Sequence, residues 1–269
     1  MKRRSRTPLK LPENMKELIK GLAYKSIWNG YVADVYRFAD SKGKECYYLK
    51  RHKRRSNHNS LKERDVIDWL QGKLPVAEIA GFESDRSYHY LLLKPLAGTP
   101  AHKLIRKIPE QRMIELMVKA MMQMHSISIE GNPFDETIIA KLGRIRYSID
   151  KGYLRKDIYN KTSGCNAEAD FSYLAANIPD KEELVFTHGD FCLPNFLLSG
   201  DDITGFVDLG EAGVCDRYMD ISTLAITMCY NYKRFDRFFY YCRLIFKEYG
   251  IEHPDWSKLQ YYHLVNEML

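Results

Sequence analysis

The feature that most constrains the fold of this chain is a polar segment at residues 187–195, Thr-His-Gly-Asp-Phe-Cys-Leu-Pro-Asn. An apolar run, residues 184–186, precedes it and predicts a strand that delivers His188 and Asp190 to its exposed end. Asn195 lies five positions beyond Asp190. A loop of that length can turn both polar side chains into one cavity.

The residues that follow predict a β-hairpin whose second strand ends at another carboxylate. Residues 196–198 and 203–207 have the composition of strands, and residues 199–202, Ser-Gly-Asp-Asp, supply the turn between them. The second strand ends at Asp208, which therefore returns beside the first loop. Two carboxylates and an amide are expected to converge there.

This set of side chains suits phosphoryl transfer. Mg2+ takes oxygen ligands, usually one or two from the protein with phosphate oxygens and water completing the shell, and Asn195 and Asp208 supply such oxygens. Asp190 then remains to accept a hydrogen bond from an attacking hydroxyl. Asp and Asn also cap ordinary turns, but the composite spacing of all the motifs favours the phosphoryl-transfer interpretation.

Residues 188–195, together with the segment Gly-Phe-Val-Asp-Leu-Gly at 205–210, closely resemble the aminoglycoside phosphotransferases, especially the 3′-phosphotransferase branch. The resemblance implies an α+β, bilobal protein-kinase-like fold with a small antiparallel β-rich N-lobe and a larger helical C-lobe. It further implies three regions. They are a nucleotide-binding lobe at residues 1–93, a hinge at 94–98, and a catalytic and acceptor-binding lobe at 99–269.

The resemblance also assigns nucleotide-binding roles in the first lobe. The β-prone run at residues 46–50 ends in Lys50, which kinases pair with a helix glutamate and aim at the phosphates, and Glu63 occupies that helix position. A capping box, Ser60-Leu61-Lys62-Glu63, is the competing explanation of Glu63, and the ion pair is favoured over it. Tyr48 matches a family position where an aromatic ring stacks on adenine.

A strand at residues 88–93 is followed by the break Lys-Pro-Leu-Ala-Gly at 94–98. In a two-lobed kinase this connector reads adenine through main-chain atoms, and we assign Lys94 and Leu96 to that role. Pro95 has no N–H, which leaves the Leu96 amide as the donor.

Two further residues receive supporting roles. His188 is expected to brace the loop rather than transfer protons, and Asp220 resembles a family residue that supports the catalytic loop by hydrogen bonding. The apolar stripe of residues 113–124, which is rich in Met, is expected to pack in the core. The spacing of apolar residues also predicts helices over residues 11–22, 219–231, 235–249 and 256–269. Apart from His188, the histidines, His125 among them, are scattered without metal-ligand spacing, so no role is assigned to them.

The acceptor site departs from the family pattern. Relatives line it with carboxylates that hold the ammonium groups of a cationic aminosugar antibiotic. Here the acidic run upstream of the catalytic loop is thin, Glu211 replaces an Arg, and Asn266-Glu267 replaces a terminal Asp-Glu pair. The candidate acceptor-binding carboxylates are those of Asp157, Glu211, Glu267 and the chain terminus at Leu269.

The resemblance implies an ATP-dependent (or GTP-dependent) O-phosphotransferase that uses Mg2+ and phosphorylates an aminoglycoside at its 3′-hydroxyl, which would confer antibiotic resistance. Two other classes stay open. The chain could phosphorylate a metabolite or a different antibiotic, an alternative that the thin acidic lining keeps open. It could instead be a non-catalytic nucleotide-binding module, which the intact set of Lys50, Asp190, Asn195 and Asp208 argues against.

Composition sets the remaining bounds. Length and an ordinary content of apolar (45%) and charged (28%) residues fit a globular protein, and no apolar run approaches a membrane span. Six scattered cysteines without a Cys-x-x-Cys pair and the lack of a secretory signal predict a cytoplasmic protein. The net charge of +6 comes from two basic windows, residues 1–10 and 50–55, without interleaved aromatic residues. We therefore expect no nucleic-acid partner.

Overall fold

The computed structural model describes residues 9–30, 33–54, 60–154 and 166–269, and the chain divides into two compact units. The first unit comprises Met1–Arg64 and Ala77–Pro95, and the second comprises Asp65–Val76 and Leu96–Leu269. Helix α2 (Ser60–Leu70) has residues in both. Among the described residues, no helix combines the length and the apolar character needed to cross a membrane.

The first unit is built on an antiparallel sheet of five strands in the order β1-β2-β3-β5-β4. Its elements are α1 (Glu13–Leu18), β1 (Ala23–Asn29), β2 (Ala33–Ala39), β3 (Glu45–Lys53), β4 (Ile79–Ser84) and β5 (Tyr88–Leu93). Phe38, Leu49 and Leu92 are among the buried residues of its core. Because side chains alternate along a strand, burial of Leu49 places Tyr48, Lys50 and His52 together on the other face of β3.

Helix α1 is shorter than the helical spacing over residues 11–22 predicts. It begins after Pro12, and the chain turns at Gly21, whose φ of 78° is left-handed. A residue in that conformation cannot continue a right-handed helix, and glycine adopts it at little cost.

The second unit is mainly helical. Its helices are α3 (Glu110–His125), α4 (Ile138–Asp150), α5 (Ala167–Ala176), α6 (Tyr218–Tyr232), α7 (Phe238–Tyr249) and α8 (Trp256–Met268). Met113, Met117, Met121 and Met124 of α3 are fully buried, which confirms that the Met-rich stripe packs in the core. Residues 235–237, predicted to open α7, instead form a separate 3-10 turn.

Two small sheets in the second unit position the polar segments. β7 (Leu184–Thr187) pairs antiparallel with β10 (Gly213–Asp216), and β8 (Phe196–Ser199) pairs with β9 (Asp202–Phe206) and with the short β6 (Thr99–Pro100). The predicted strand before His188 and the predicted hairpin are thus confirmed.

Candidate active site

A buried carboxylate anchors the first residues of the loop that follows β7. Asp220, on the first turn of α6, accepts hydrogen bonds from the main-chain N–H of His188 (2.8 Å) and of Gly189 (2.9 Å). His125 Nε2 lies 3.0 Å from Asp220 Oδ2, and its Nδ1 lies 2.8 Å from the Tyr249 hydroxyl. The supporting role predicted for Asp220 is confirmed. His125, to which the sequence assigned no role, orients that carboxylate.

His188 braces the loop from within, as predicted. Its Nδ1 accepts the Asp190 N–H at 3.3 Å, so Nε2 carries the hydrogen that faces the Val207 carbonyl at 3.1 Å. The ring is fully buried and packs against Phe196. With both ring nitrogens engaged, the imidazole links the loop after β7 to the end of the β8–β9 hairpin.

Asp190 and Asn195 are in direct contact. The Asn195 Nδ2 donates to both the main-chain oxygen and the Oδ2 of Asp190, at 3.0 Å each. With the amide hydrogens directed at Asp190, Oδ1 of Asn195 remains for another ligand. The Val207 N–H also donates to the Asn195 carbonyl at 3.0 Å. This bond brings the residue before Asp208 alongside the loop.

Burial raises the pKa of Asp190 above its ordinary value. The neighbouring charge of Asp208 raises the pKa further, while His188, Cys192 and Asn195 act in the opposite direction. A carboxylate with a raised pKa is a better proton acceptor than an exposed one, which suits a general base. Burial and the charge of Asp190 also raise the pKa of the Cys192 thiol, so this cysteine stays protonated and is a poor nucleophile.

The donor set fits a magnesium ion. Asp208 adopts a left-handed conformation (φ 62°, ψ 54°), and its charge acts on the buried Asp190. A divalent cation would relieve this repulsion between carboxylates, and Asn195 and Asp208 offer the two protein oxygens that Mg2+ commonly takes. Within the described ranges, no group of three or more His, Cys, Asp or Glu side chains forms a metal cluster. At sites of this kind, phosphate oxygens and water usually complete the Mg2+ shell.

In the first unit, Lys50 and Glu63 form the expected ion pair. Lys50 Nζ lies 2.6 Å from Glu63 Oε1, and their side chains are only 13% and 2% exposed. Burial by itself would raise the pKa of Glu63, but Lys50 and His52 lower it to about 2. His52 Nε2, 3.4 Å from Glu63 Oε2, is a second partner that the sequence did not indicate. The competing capping box depends on Ser60, whose side chain lies outside the described residues.

Tyr48 and Lys94, the other two nucleotide-binding candidates of the first unit, are also held by hydrogen bonds. The Tyr48 hydroxyl donates to Glu45 Oε2 at 2.7 Å, and burial together with this contact raises the pKa of Tyr48 to about 12. The Lys94 N–H donates to the Glu78 carbonyl at 2.9 Å, so a nucleotide base would meet the Lys94 carbonyl rather than its amide. Leu96 belongs to the second unit.

The candidate acceptor-binding residues of the second unit contact different partners. Glu211 Oε2 is 3.4 Å from Arg144 Nη2, and Glu267 Oε1 is 3.5 Å from His263 Nε2. Leu269 is exposed at the end of the chain. Asp157 lies outside the described residues. The side-chain carboxylates of Glu211 and Glu267 thus each have a basic neighbour, which the sequence spacing did not reveal.

Comparisons with known proteins identify the family. The model of the phosphotransferase enzyme family matches residues 23–260. An aminoglycoside 3′-phosphotransferase of Niallia circulans is 30% identical over 205 residues, which cover 76% of this chain and 77% of the relative.

Solved structures share the fold. An aminoglycoside-3′-phosphotransferase of type VIII superposes with a TM-score of 0.80 at 22% identity, covering 95% of this chain and 97% of that one. An aminoglycoside phosphotransferase from Streptomyces rimosus, solved with ADP and streptomycin, gives 0.73 at 20% identity, over 94% and 95% of the two chains. The α+β kinase-like fold is confirmed, and the chain belongs to the aminoglycoside phosphotransferase family of phosphotransferase enzymes.

Proposed function

We propose that this protein transfers the terminal phosphate of ATP to a hydroxyl group of an aminoglycoside, with the 3′-hydroxyl as the first candidate, and so confers resistance. The observation that carries the proposal is the contact of Asp190 with Asn195 beside Asp208, on a loop held by Asp220. Family membership and the relative's activity support the same reaction.

Asp190 is the proposed general base. The acceptor oxygen attacks the γ-phosphorus, its proton passes to an Asp190 carboxylate oxygen, and the bond to the β–γ bridging oxygen breaks to release ADP. Asn195 and Asp208 would hold Mg2+, which neutralises phosphate charge when it is bound.

The nucleotide roles rest on the first unit and on the connector after it. Glu63 keeps Lys50 charged and oriented, so that Lys50 can stabilise the phosphates. Tyr48 would stack on the base, and the Lys94 carbonyl and the Leu96 amide would recognise its edge. ATP is the first candidate donor and GTP the second.

The acceptor assignment rests on the end of α8. Glu267 is 15% exposed in its side chain, and the terminal carboxylate follows two residues later on exposed Leu269. Ammonium groups of an aminosugar would pair with these oxygens, because charge-assisted hydrogen bonds are the stronger ones. Glu211 and Asp157 are the further candidates for this lining.

A second candidate function is phosphorylation of a less cationic hydroxyl compound, such as a metabolite or another antibiotic. The specific observation in its favour is the pairing of Glu211 with Arg144 and of Glu267 with His263. Because the Arg144 guanidinium offsets part of its charge, Glu211 attracts an ammonium group less strongly, and the His263 ring occupies one oxygen of Glu267.

The first test measures ADP release by the purified protein with MgATP across a panel of hydroxyl compounds. We expect turnover with kanamycin- or neomycin-like aminoglycosides and a loss of about 10²–10⁴-fold in kcat for Asp190→Ala, since base catalysis contributes that much. Turnover of neutral compounds alone would replace the acceptor assignment with the second candidate. Unchanged turnover in Asp190→Ala would contradict the mechanism.

A second test separates acceptor from nucleotide binding. Met268 is buried, so the variant keeps it and combines Glu267→Gln with removal of Leu269 alone. This relocates the terminal carboxylate and removes the side-chain charge. KM for the aminoglycoside should rise by about tenfold or more, with KM for ATP unchanged. Glu252→Gln, an exposed carboxylate before α8, is the matched control. Equal acceptor KM values would exclude the end of α8 from the acceptor site.

A further inference from the structure

A buried ion cluster lies on α4 and the segment before it. Glu136, which is 1% exposed, accepts from the Lys141 Nζ at 2.9 Å, and Lys141 is fully buried. Both terminal nitrogens of the Arg144 guanidinium also contact the Glu136 carboxylate, Nη1 at 2.7 Å. A bidentate contact of this kind fixes the guanidinium plane. Arg144 is therefore anchored at its buried side.

The anchored guanidinium reaches a second carboxylate. Its Nη2 lies 3.4 Å from Glu211 Oε2, at a place where the Arg144 side chain is 37% exposed and that of Glu211 27%. Burial by itself would lower the pKa of Arg144, but the charges of Glu211 and Glu136 raise it on balance. Arg144 thus connects the buried cluster to the turn that carries Glu211.

That turn joins two parts of the proposed active site. Leu209–Glu211 is a 3-10 turn that begins immediately after Asp208. On its other side, the main-chain carbonyl of Glu211 packs so closely on Gly189 that a Cβ at this glycine would collide with it. The position of Glu211 therefore affects the residue that would hold metal and the loop that carries Asp190.

Asp208 needs such support. Its left-handed main chain is an uncommon conformation for a residue with a side chain, and it persists only where surrounding contacts hold it. The carboxylate of Asp208 is aimed by that conformation. A turn fixed at its far end by Glu211 restricts the main-chain angles available at its start.

We propose that Arg144 is a positioning residue that holds Glu211, and through it the Leu209–Glu211 turn, so that Asp208 keeps the conformation that directs its carboxylate to the metal. The inference rests on the proposed function in taking Asp208 as a metal ligand. It gives Glu211 a task other than binding the acceptor.

The test measures binding of Mn2+ to the full chain in the presence of ADP, followed by electron paramagnetic resonance of free Mn2+. Glu211→Gln and Arg144→Gln should each raise the Mn2+ dissociation constant by about three- to tenfold. The dissociation constant of the double variant should not exceed the larger of the two single-variant values. Arg146→Gln is the matched control. It removes a guanidinium from the same helix that pairs instead with Asp150 and Glu168.

Acceptor KM and kcat are measured on the same proteins. We expect the kcat of Glu211→Gln to fall at limiting Mg2+ and to recover toward that of the wild type as Mg2+ approaches saturation. Arg144→Gln leaves the buried Glu136 with one cation fewer, and this variant can fail to fold. Arg144→Lys keeps the positive charge, but a lysine cannot span both carboxylates as the guanidinium does. Glu211→Gln and Arg144→Lys are therefore sufficient for the test.

An unchanged Mn2+ dissociation constant in Glu211→Gln would overturn the inference. A raised acceptor KM with unchanged metal affinity would also overturn it and would return Glu211 to the acceptor site. Failure of the proposed function looks different. In that case the wild-type protein itself shows no Mn2+ binding with ADP, or binds Mn2+ and transfers no phosphate.

Discussion

Asp190 illustrates how a residue proposed for catalysis can oppose stability. Its carboxylate is buried beside Asp208, and both burial and that neighbouring charge raise its pKa. A group whose pKa is raised in the folded state disfavours folding at pH values above its unfolded pKa, and the penalty disappears below it. The property that suits Asp190 to accept a proton is thus the property that makes it costly.

Asp190→Asn should therefore raise the melting temperature at pH 7 in the presence of EDTA, by roughly 2–4 °C for each kcal/mol of repulsion removed. The gain should shrink as the pH falls below about 4, where the wild-type carboxyl becomes protonated in the unfolded state as well. Thermal unfolding followed by circular dichroism at several pH values measures it.

The control for this prediction is Asp236→Asn. A hydrogen bond from Arg234 lowers the pKa of Asp236, so its charge favours the folded state and its removal should bring no gain. A lower melting temperature for Asp190→Asn at pH 7, or the same difference at every pH, would contradict the assignment of Asp190 as a penalised buried charge.

At the scale of single residues, sequence spacing predicts what is local. Asp190 and Asn195 are five positions apart and share a loop, so their contact follows from chain geometry. His125 and Asp220 are 95 positions apart, and Arg144 and Glu211 come from a helix and a distant turn. Nothing in the composition of either segment indicates its partner, because tertiary packing alone brings them together.

Among elements, the loop after β7 and the Leu209–Glu211 turn depend on a glycine at their contact. Gly189 has a φ of 78°, and a side chain there would collide with the Glu211 carbonyl. Gly200, in the β8–β9 turn, also has a positive φ (59°) but faces open space. The two glycines share a left-handed backbone conformation and differ in packing.

Gly200→Ala should cost on the order of 1–2 kcal/mol of unfolding free energy, the usual penalty of a left-handed conformation. Gly189→Ala should cost clearly more, because the Glu211 carbonyl must also move, and it should abolish phosphate transfer. Denaturant unfolding of both variants and the wild type gives the difference. Equal unfolding free energies would show that the loop and the turn are not in tight contact.

Elements were more predictable than their ends. The strand before His188, the β8–β9 hairpin and the helices near residues 219–231 and 256–269 follow from periodicity and turn residues. The helix predicted over 235–249 begins only at Phe238, after a 3-10 turn. Such shifts arise because helix starts depend on caps and packing that periodicity does not register.

For the whole molecule, nucleotide and metal should stabilise the folded state through mass action. A ligand at one hundred times its dissociation constant adds about 2.7 kcal/mol. MgADP should therefore raise the melting temperature by roughly 5 °C or more. EDTA should remove the metal-dependent part of this gain.

Asp208→Asn is expected to respond to ADP but to lose most of the additional effect of Mg2+. Differential scanning fluorimetry with ADP, with MgADP and with EDTA measures each part. A magnesium effect of equal size in Asp208→Asn and the wild type would exclude Asp208 from the metal site, while no effect of any nucleotide on the wild type would contradict nucleotide binding.

The division into two units was only partly predictable. A proline at residue 95 and a glycine at residue 98 mark the break, and the first unit ends at Pro95. Residues 65–76, however, belong to the second unit although they precede the last strands of the first. Trp69 explains this, because its ring packs against Phe134 and Phe186 of the second unit. No local sequence pattern predicts that α2 begins in the first unit and ends in the second.

The hydrogen bonds that Asp220 accepts from main-chain N–H groups have a consequence for how such a protein can evolve. Hydrogen bonds to the backbone of His188 and Gly189 do not depend on which side chains neighbouring positions carry. Inherited substitutions that reshape the proposed acceptor surface can accumulate without weakening the hydrogen bonds that anchor the loop. Descendants of such a protein can therefore adapt to new compounds in their surroundings while His125, Asp220 and Gly189 remain unchanged.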